Sequence, residues 1–117
     1  MAELGELVRS LAARQGIEAV LVLSADGLPI EHSARARFEP EAVAALTATL
    51  VQYATRLGVG AGRGAPRTAV IEYERGIVIV AQTPSGDSLA VLAGSDTDVG
   101  ELLYDLHRNR PALAELL

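Results

Sequence analysis

Leu21-Val22-Leu23-Ser24-Ala25-Asp26-Gly27-Leu28-Pro29-Ile30 reads as an apolar strand, a tight turn and a second short strand coming straight back. Asp-Gly between apolar runs is a strong hairpin signal, because Asp tolerates and Gly prefers the positive φ such turns need. Upstream, the first strand reaches back to Ile17 and is apolar at both parities: Val20 and Val22 on one side, Leu21 and Leu23 on the other. A strand of that kind is expected to be covered on both faces. The second strand, Leu28 to Ser33, contains Pro29, which cannot donate to a ladder and belongs on a sheet edge.

The flanks extend this pattern. Before the hairpin, Leu4, Leu7, Val8, Leu11 and Ala12 fall at helical spacing, with Gly16 where a C-terminal cap belongs. After it, Phe38-Glu39-Pro40-Glu41 opens a second helix: Pro40 suits the first turn, and the acidic residues suit its positive end. That helix runs to about Leu57, with Val43, Leu46, Leu50, Val51, Ala54 and Leu57 in one stripe. Opposite lie Glu41, Ala45, Ala48, Thr49, Gln52 and Arg56, and Ala42, Ala44, Ala45 and Ala48 make part of the surface smooth. Two readings of the alanines stand: simple helix propensity, or a face that lets another helix approach closely.

Gly58 to Pro66 is then a flexible loop. It follows a helix and precedes a strand, the reverse of a dinucleotide loop, and without Lys it is no P-loop. Arg67 to Tyr73, Ile77 to Gln82 and Ser88 to Ala93 read as three strands joined by tight hairpins. Asp98-Val99-Gly100-Glu101 has the spacing of a capping box and opens a third helix to about Arg108, which Pro111 interrupts. Ala112 to Leu117 forms a short terminal turn.

The order is therefore α-β-β-α-β-β-β-α, an α+β chain. If Pro29 keeps the second strand at an edge, the two hairpin blocks join through the first and last strands. The sheet is then five-stranded and antiparallel in the order 2-1-5-4-3, with helices on both faces. The other edge, Arg67 to Tyr73, carries no Pro, Lys or inward charge in its middle, Thr68-Ala69-Val70-Ile71. An edge so unguarded is expected to have a partner.

Composition sets the exclusions. The chain has 117 residues and reads as a single domain over 1–117, half of it hydrophobic. It carries a net charge of −5, no Cys and very few aromatics. All its basic residues are Arg. An acidic chain without a basic stripe or stacking aromatics is a poor binder of nucleic acid or an anionic membrane. Lack of Cys removes disulfides, thiolate metal sites and a Cys nucleophile. The acidic, amphipathic start, Met1-Ala2-Glu3-Leu4-Gly5-Glu6, is unlike a signal peptide, and no apolar run approaches the ~20 residues of a membrane span. These features point to the cytoplasm.

Three features together resemble the roadblock, or dynein-light-chain-type, family: the order of elements, the Ser-x-Asp-Gly hairpin between Val20 and Ile30, and Asp98-Val99-Gly100-Glu101-Leu102-Leu103 opening the last helix. The resemblance covers nearly the whole chain and implies a profilin-like fold, with the bacterial MglB-like branch the nearest in kind. It implies a homodimer built through the second helix and third strand as one continuous sheet. Dimer contacts are then expected at Ala44, Ala45, Ala48, Val51, Thr68, Ala69, Val70 and Ile71. It also implies a small Ras-like GTPase as partner, regulated by repositioning of that partner's own catalytic groups. Glu41, Thr49, Gln52 and Arg56 would contact it.

No residue cluster looks catalytic, and no cofactor is expected. His32 and His107 lie on different elements without further ligands at metal spacing. Ser85, Asp87 and Ser88 lack a nucleophile elbow and suit a turn. Glu101 and Asp105, one helical turn apart, suit a solvated helix face. Arg63 and Arg75 could in principle reach out as arginine fingers. The leading expectation is a non-catalytic dimeric adaptor or regulator of a small Ras-like GTPase. The alternatives are a structural scaffold subunit with no GTPase partner and, behind it, a small-ligand sensor on a profilin-like sheet.

Overall fold

The computed structural model describes residues 3–117; Met1 and Ala2, part of the N-terminal reading above, lie outside the described residues. The elements are α1 (Leu4–Ala12), β1 (Ile17–Leu23), β2 (Pro29–Ala34), α2 (Pro40–Gly60), β3 (Thr68–Tyr73), β4 (Gly76–Gln82), β5 (Ser88–Ala93), α3 (Val99–Arg108) and α4 (Arg110–Leu116). The sheet runs β2-β1-β5-β4-β3 with every neighbour antiparallel, the order the sequence implies.

Both faces of the sheet are covered. On one, Val20 and Val22 of β1, Ile79 of β4 and Val91 of β5 pack under Val8 and Leu11 of α1, Leu102 and Leu106 of α3, and Leu113 of α4. On the other, Leu21 and Leu23 meet Ala90 of β5 and Ala44 and Ala48 of α2. The two-sided apolar pattern of β1 is thus explained: it is the central strand between two cores. Each fully buried Leu or Val contributes at most about 1.5–3 kcal/mol, so neither core is dispensable in a domain of this size.

Several boundaries differ from the sequence reading. Helix α1 ends at Ala13 as its C-cap, and Gly16 sits in the turn beyond it at φ +88°. The glycine is needed there by a close approach: a Cβ would stand 2.8 Å from the Thr97 hydroxyl. Helix α2 runs on to Gly60 and takes the first glycines of the supposed loop. A Cβ on Gly58 would collide with the Gly64 carbonyl oxygen, because the chain folds back there and the Arg63 N–H donates to the Gly58 carbonyl at 2.7 Å. The segment is therefore a tight reversal held by the helix end, where the sequence suggested a flexible loop. Pro111 starts α4 within its first turn, and the expected terminal turn is a helix. Asp98 caps α3 as its spacing implies, accepting from the Glu101 N–H at 3.1 Å.

Backbone directions at the β3 edge follow from one bond. The Gln82 N–H donates to the Arg67 carbonyl at 2.8 Å. Opposed pairs alternate in an antiparallel ladder, so Ala69, Ile71 and Tyr73 also turn their backbone groups toward β4. Thr68, Val70 and Glu72 turn theirs away from the sheet.

Candidate functional site

Helix α2 is rotated from the orientation its hydrophobicity suggests, with Ala44 and Ala48 innermost and Val43, Leu50, Val51 and Ala54 only half-buried. Ala44 is fully buried and Ala48 nearly so, whereas Leu46 and Leu57 are 70% and 74% exposed. The cause is the hairpin. A Cβ on Gly27 would stand 3.2 Å from Ala45 Cα and 3.2 Å from Ala48 Cβ, so the Asp-Gly turn rests directly on the helix backbone. Only small residues fit at that distance. The alanines set how closely the helix approaches the sheet, and Leu46 and Leu57 are left outside.

This corrects the expected interface. Ala44 is fully buried within the protomer, and Ala48 keeps only a little exposed surface, at the wall of a cleft. Ala45 is exposed but lies beside the hairpin turn, and Val51 is half-buried. On β3, Thr68 and Val70 are exposed, while Ala69 and Ile71 are half-buried on the α2 side of the sheet. The residues missed are Leu46, Tyr53 and Leu57. With Val43 and Leu50 they recur at alternating spacings of three and four, the signature of a seam between paired helices. That spacing was visible in the sequence; which face it marked was not.

The seam continues onto the sheet. Leu50, Val51 and Ala54 border a narrow crevice whose far wall is Pro66, Ala69 and Val80. Beyond it lie Ile71 and Tyr73 on the same side of β3, Tyr73 being 55% exposed. One apolar surface therefore runs from α2 to the unpaired edge strand.

Glu41, Thr49, Gln52 and Arg56 are all exposed and share one flank of α2, away from the sheet and beside the seam. Gln52 and Arg56 border a shallow cleft of about 380 Å³ together with Ser24, Ala25, Gly86 and Ser88. The Arg56 guanidinium stands 5.3 Å above the Tyr53 ring and so links the flank to the seam.

The remaining candidates are dispersed. His32 is exposed and meets Phe38 edge-on at 5.9 Å, and His107 lies on exposed α3 surface. Among the described residues no group of His, Asp and Glu is arranged to hold a metal ion. Asp105 is ion-paired with Arg14, and Glu101 is exposed on the helix surface. Ser88 is buried and accepts from Gln82 Nε2 at 2.6 Å, while Ser85 bonds within its own turn. Arg63 and Arg75 are both exposed. Arg75 borders a wide cleft of about 870 Å³, lined also by Arg14, Arg35, Asp96, Asp98 and Glu101. Its walls carry both signs of charge, with no single-sign focus for a ligand. Among the described residues no helix is long and apolar enough to cross a membrane.

Comparison with known proteins places this geometry. Residues 3–93 match the model of the Roadblock/LC7 domain. No curated protein matches the chain. Among solved structures, a Roadblock/LC7 domain from Streptomyces avermitilis is 28% identical, with a TM-score of 0.82, over 96% of this chain and 98% of that one. An MglB with a tetrameric arrangement gives 19% identity and a TM-score of 0.85, over 95% of this chain and 85% of that one. The gliding protein MglB of Thermus thermophilus gives 19% identity and a TM-score of 0.84 over the same shares. The MglB likenesses show a shared fold. The family model spans α1, the whole sheet and α2, and with them the hairpin, the seam-bearing helix and the open edge strand: the chain belongs to the Roadblock/LC7 domain family.

Proposed function

We propose that this chain works as a homodimer that regulates a small Ras-like GTPase and has no active site of its own. The observation that carries the proposal is the apolar seam of α2 running into the unpaired β3 edge. Leu46, Tyr53 and Leu57 stand exposed together with a row of free backbone groups. A single protomer rarely leaves a contiguous apolar surface and an unguarded edge side by side. A second copy satisfies both at once, because a two-fold pairing of β3 brings the two α2 seams together on one side of a joined sheet. Family membership and the MglB-type neighbours favour self-association and a GTPase pathway.

In the dimer the flank with Glu41, Thr49, Gln52 and Arg56 stays open and is the surface offered to the GTPase. Regulation then acts by holding the partner's switch segments in one arrangement, which requires tighter binding to one nucleotide state. The test is titration of a small Ras-like GTPase from the same cell, in its GDP and GTP-analogue states, with turnover measured in parallel. The proposal expects tighter binding to the GTP-like state and loss of binding in Thr49→Glu with the fold unchanged. Arg63→Ala and Arg75→Ala should change turnover by only a few fold, since a donated arginine finger is worth about a thousandfold or more. Equal affinity for both states would favour the scaffold reading, and collapse of turnover in either Arg variant would mean a finger is supplied.

A further inference from the structure

The C-terminal helix reaches the open edge of the sheet through one side chain. Arg110, at the start of α4, donates from Nη2 to the Arg67 carbonyl at 3.2 Å and to Thr68 Oγ1 at 2.6 Å. It is half-buried, and its remaining guanidinium donors are available to an acceptor beyond the edge. Thr68, Val70 and Glu72 point their side chains to the α3 side of the sheet, since their opposite numbers on β4, Ala81, Ile79 and Ile77, all lie in the core under α1 and α3. Glu72 is exposed, and among the described residues neither it nor Arg110 has an ion-pair partner.

We propose that Arg110 pairs with Glu72 of a second copy, and that the two symmetric pairs fix the register in which the β3 edges join. This rests on the homodimer reading and deepens it. In a two-fold antiparallel pairing, outward-turned residues must oppose one another. Centring the axis on Val70 opposes Val70 to itself and Thr68 to the partner's Glu72, so every outward-turned residue of the strand is matched. Sliding one way sets Glu72 against Pro66, which has no N–H to give. Sliding the other way sets Val70 against a charge and Thr68 against Glu74, beyond the strand end. The centred register brings opposite charges together within the strand and sets no charge against Val70. Directly opposed side chains have Cβ atoms about 5.5 Å apart or less, and Arg110 already bonds the Thr68 hydroxyl, so its guanidinium lies beside the opposed carboxylate. The C-terminal helix thereby contributes a residue to an interface otherwise made by α2 and β3.

The test is charge reversal, with the dimer dissociation constant read by dilution calorimetry. Glu72→Arg breaks no contact within the protomer, and Arg110→Glu breaks two hydrogen bonds. Each variant should weaken the dimer about tenfold, because two exposed pairs are lost per dimer and like charges replace them. The double variant Glu72→Arg with Arg110→Glu should return to within about threefold of the native value, and raised salt should weaken the native dimer but not Glu72→Gln. Rescue is the deciding signal, since a purely local role of Arg110 cannot be repaired at Glu72. Native-like dimerisation in Glu72→Arg, or absence of rescue in the double variant, would overturn the ion pair while leaving the homodimer standing. A native chain that stays monomeric would overturn both.

Discussion

At the scale of single residues, the decisive positions are the alanines of α2. Hydrophobicity ranks Leu46 and Leu57 above Ala44 and Ala48 as core residues, yet the structure buries the alanines and exposes the leucines. What decides is the distance of approach: the Gly27 turn rests on the helix backbone and leaves no room for a longer side chain. Two substitutions separate this arrangement from its reverse. Ala48→Leu should overpack the contact with Leu21, Leu23 and the hairpin, costing about 1–3 kcal/mol. In a domain of this size that appears as a Tm lowered by several degrees, roughly 3–5 °C for each kcal/mol. Leu46→Glu should leave circular dichroism unchanged and raise the dimer dissociation constant at least tenfold, measured by dilution. If Leu46→Glu unfolded the chain and Ala48→Leu were silent, the faces would be assigned the wrong way round.

At the scale of elements, much of the fold was legible. The Asp26-Gly27 hairpin, Pro29 at one edge, the unguarded middle of β3 and the Asp98 cap were each signalled by a local rule with a local cause, and the sheet order followed from them. The face of α2 was not legible, because the helix carries two apolar sides, one small and one large, and periodicity cannot say which meets the sheet. The extension to Gly60 was also hidden, since it depends on Arg63 closing onto Gly58 across the reversal. The edge strand offers its own prediction. The Val70 N–H points away from β4, so Val70→Pro removes no hydrogen bond of the protomer's own ladder but deletes a donor at the free edge. Gel filtration should show Val70→Pro eluting as a monomer with native secondary structure. A native-sized dimer in that variant would mean that β3 is not the joining edge.

At the scale of the whole molecule, the two edges of the sheet differ in kind. β2 begins with Pro29, whereas β3 is open, flanked on one side by the α2 seam and on the other by Arg110 and Glu72. Seam, edge, Arg110 and Glu72 all lie at the same end of the sheet, and in the proposed dimer one two-fold axis serves them all. In the proposed dimer the polar flank of α2 stays exposed. On the proposed reading, each protomer presents half of a surface that the pairing completes. The claim on which the rest depends is the pairing itself. Sedimentation velocity of the native chain at micromolar concentration tests it most directly. A protomer has a mass of 12.2 kDa; the account predicts a single species of twice that mass, and a clean monomer would contradict it.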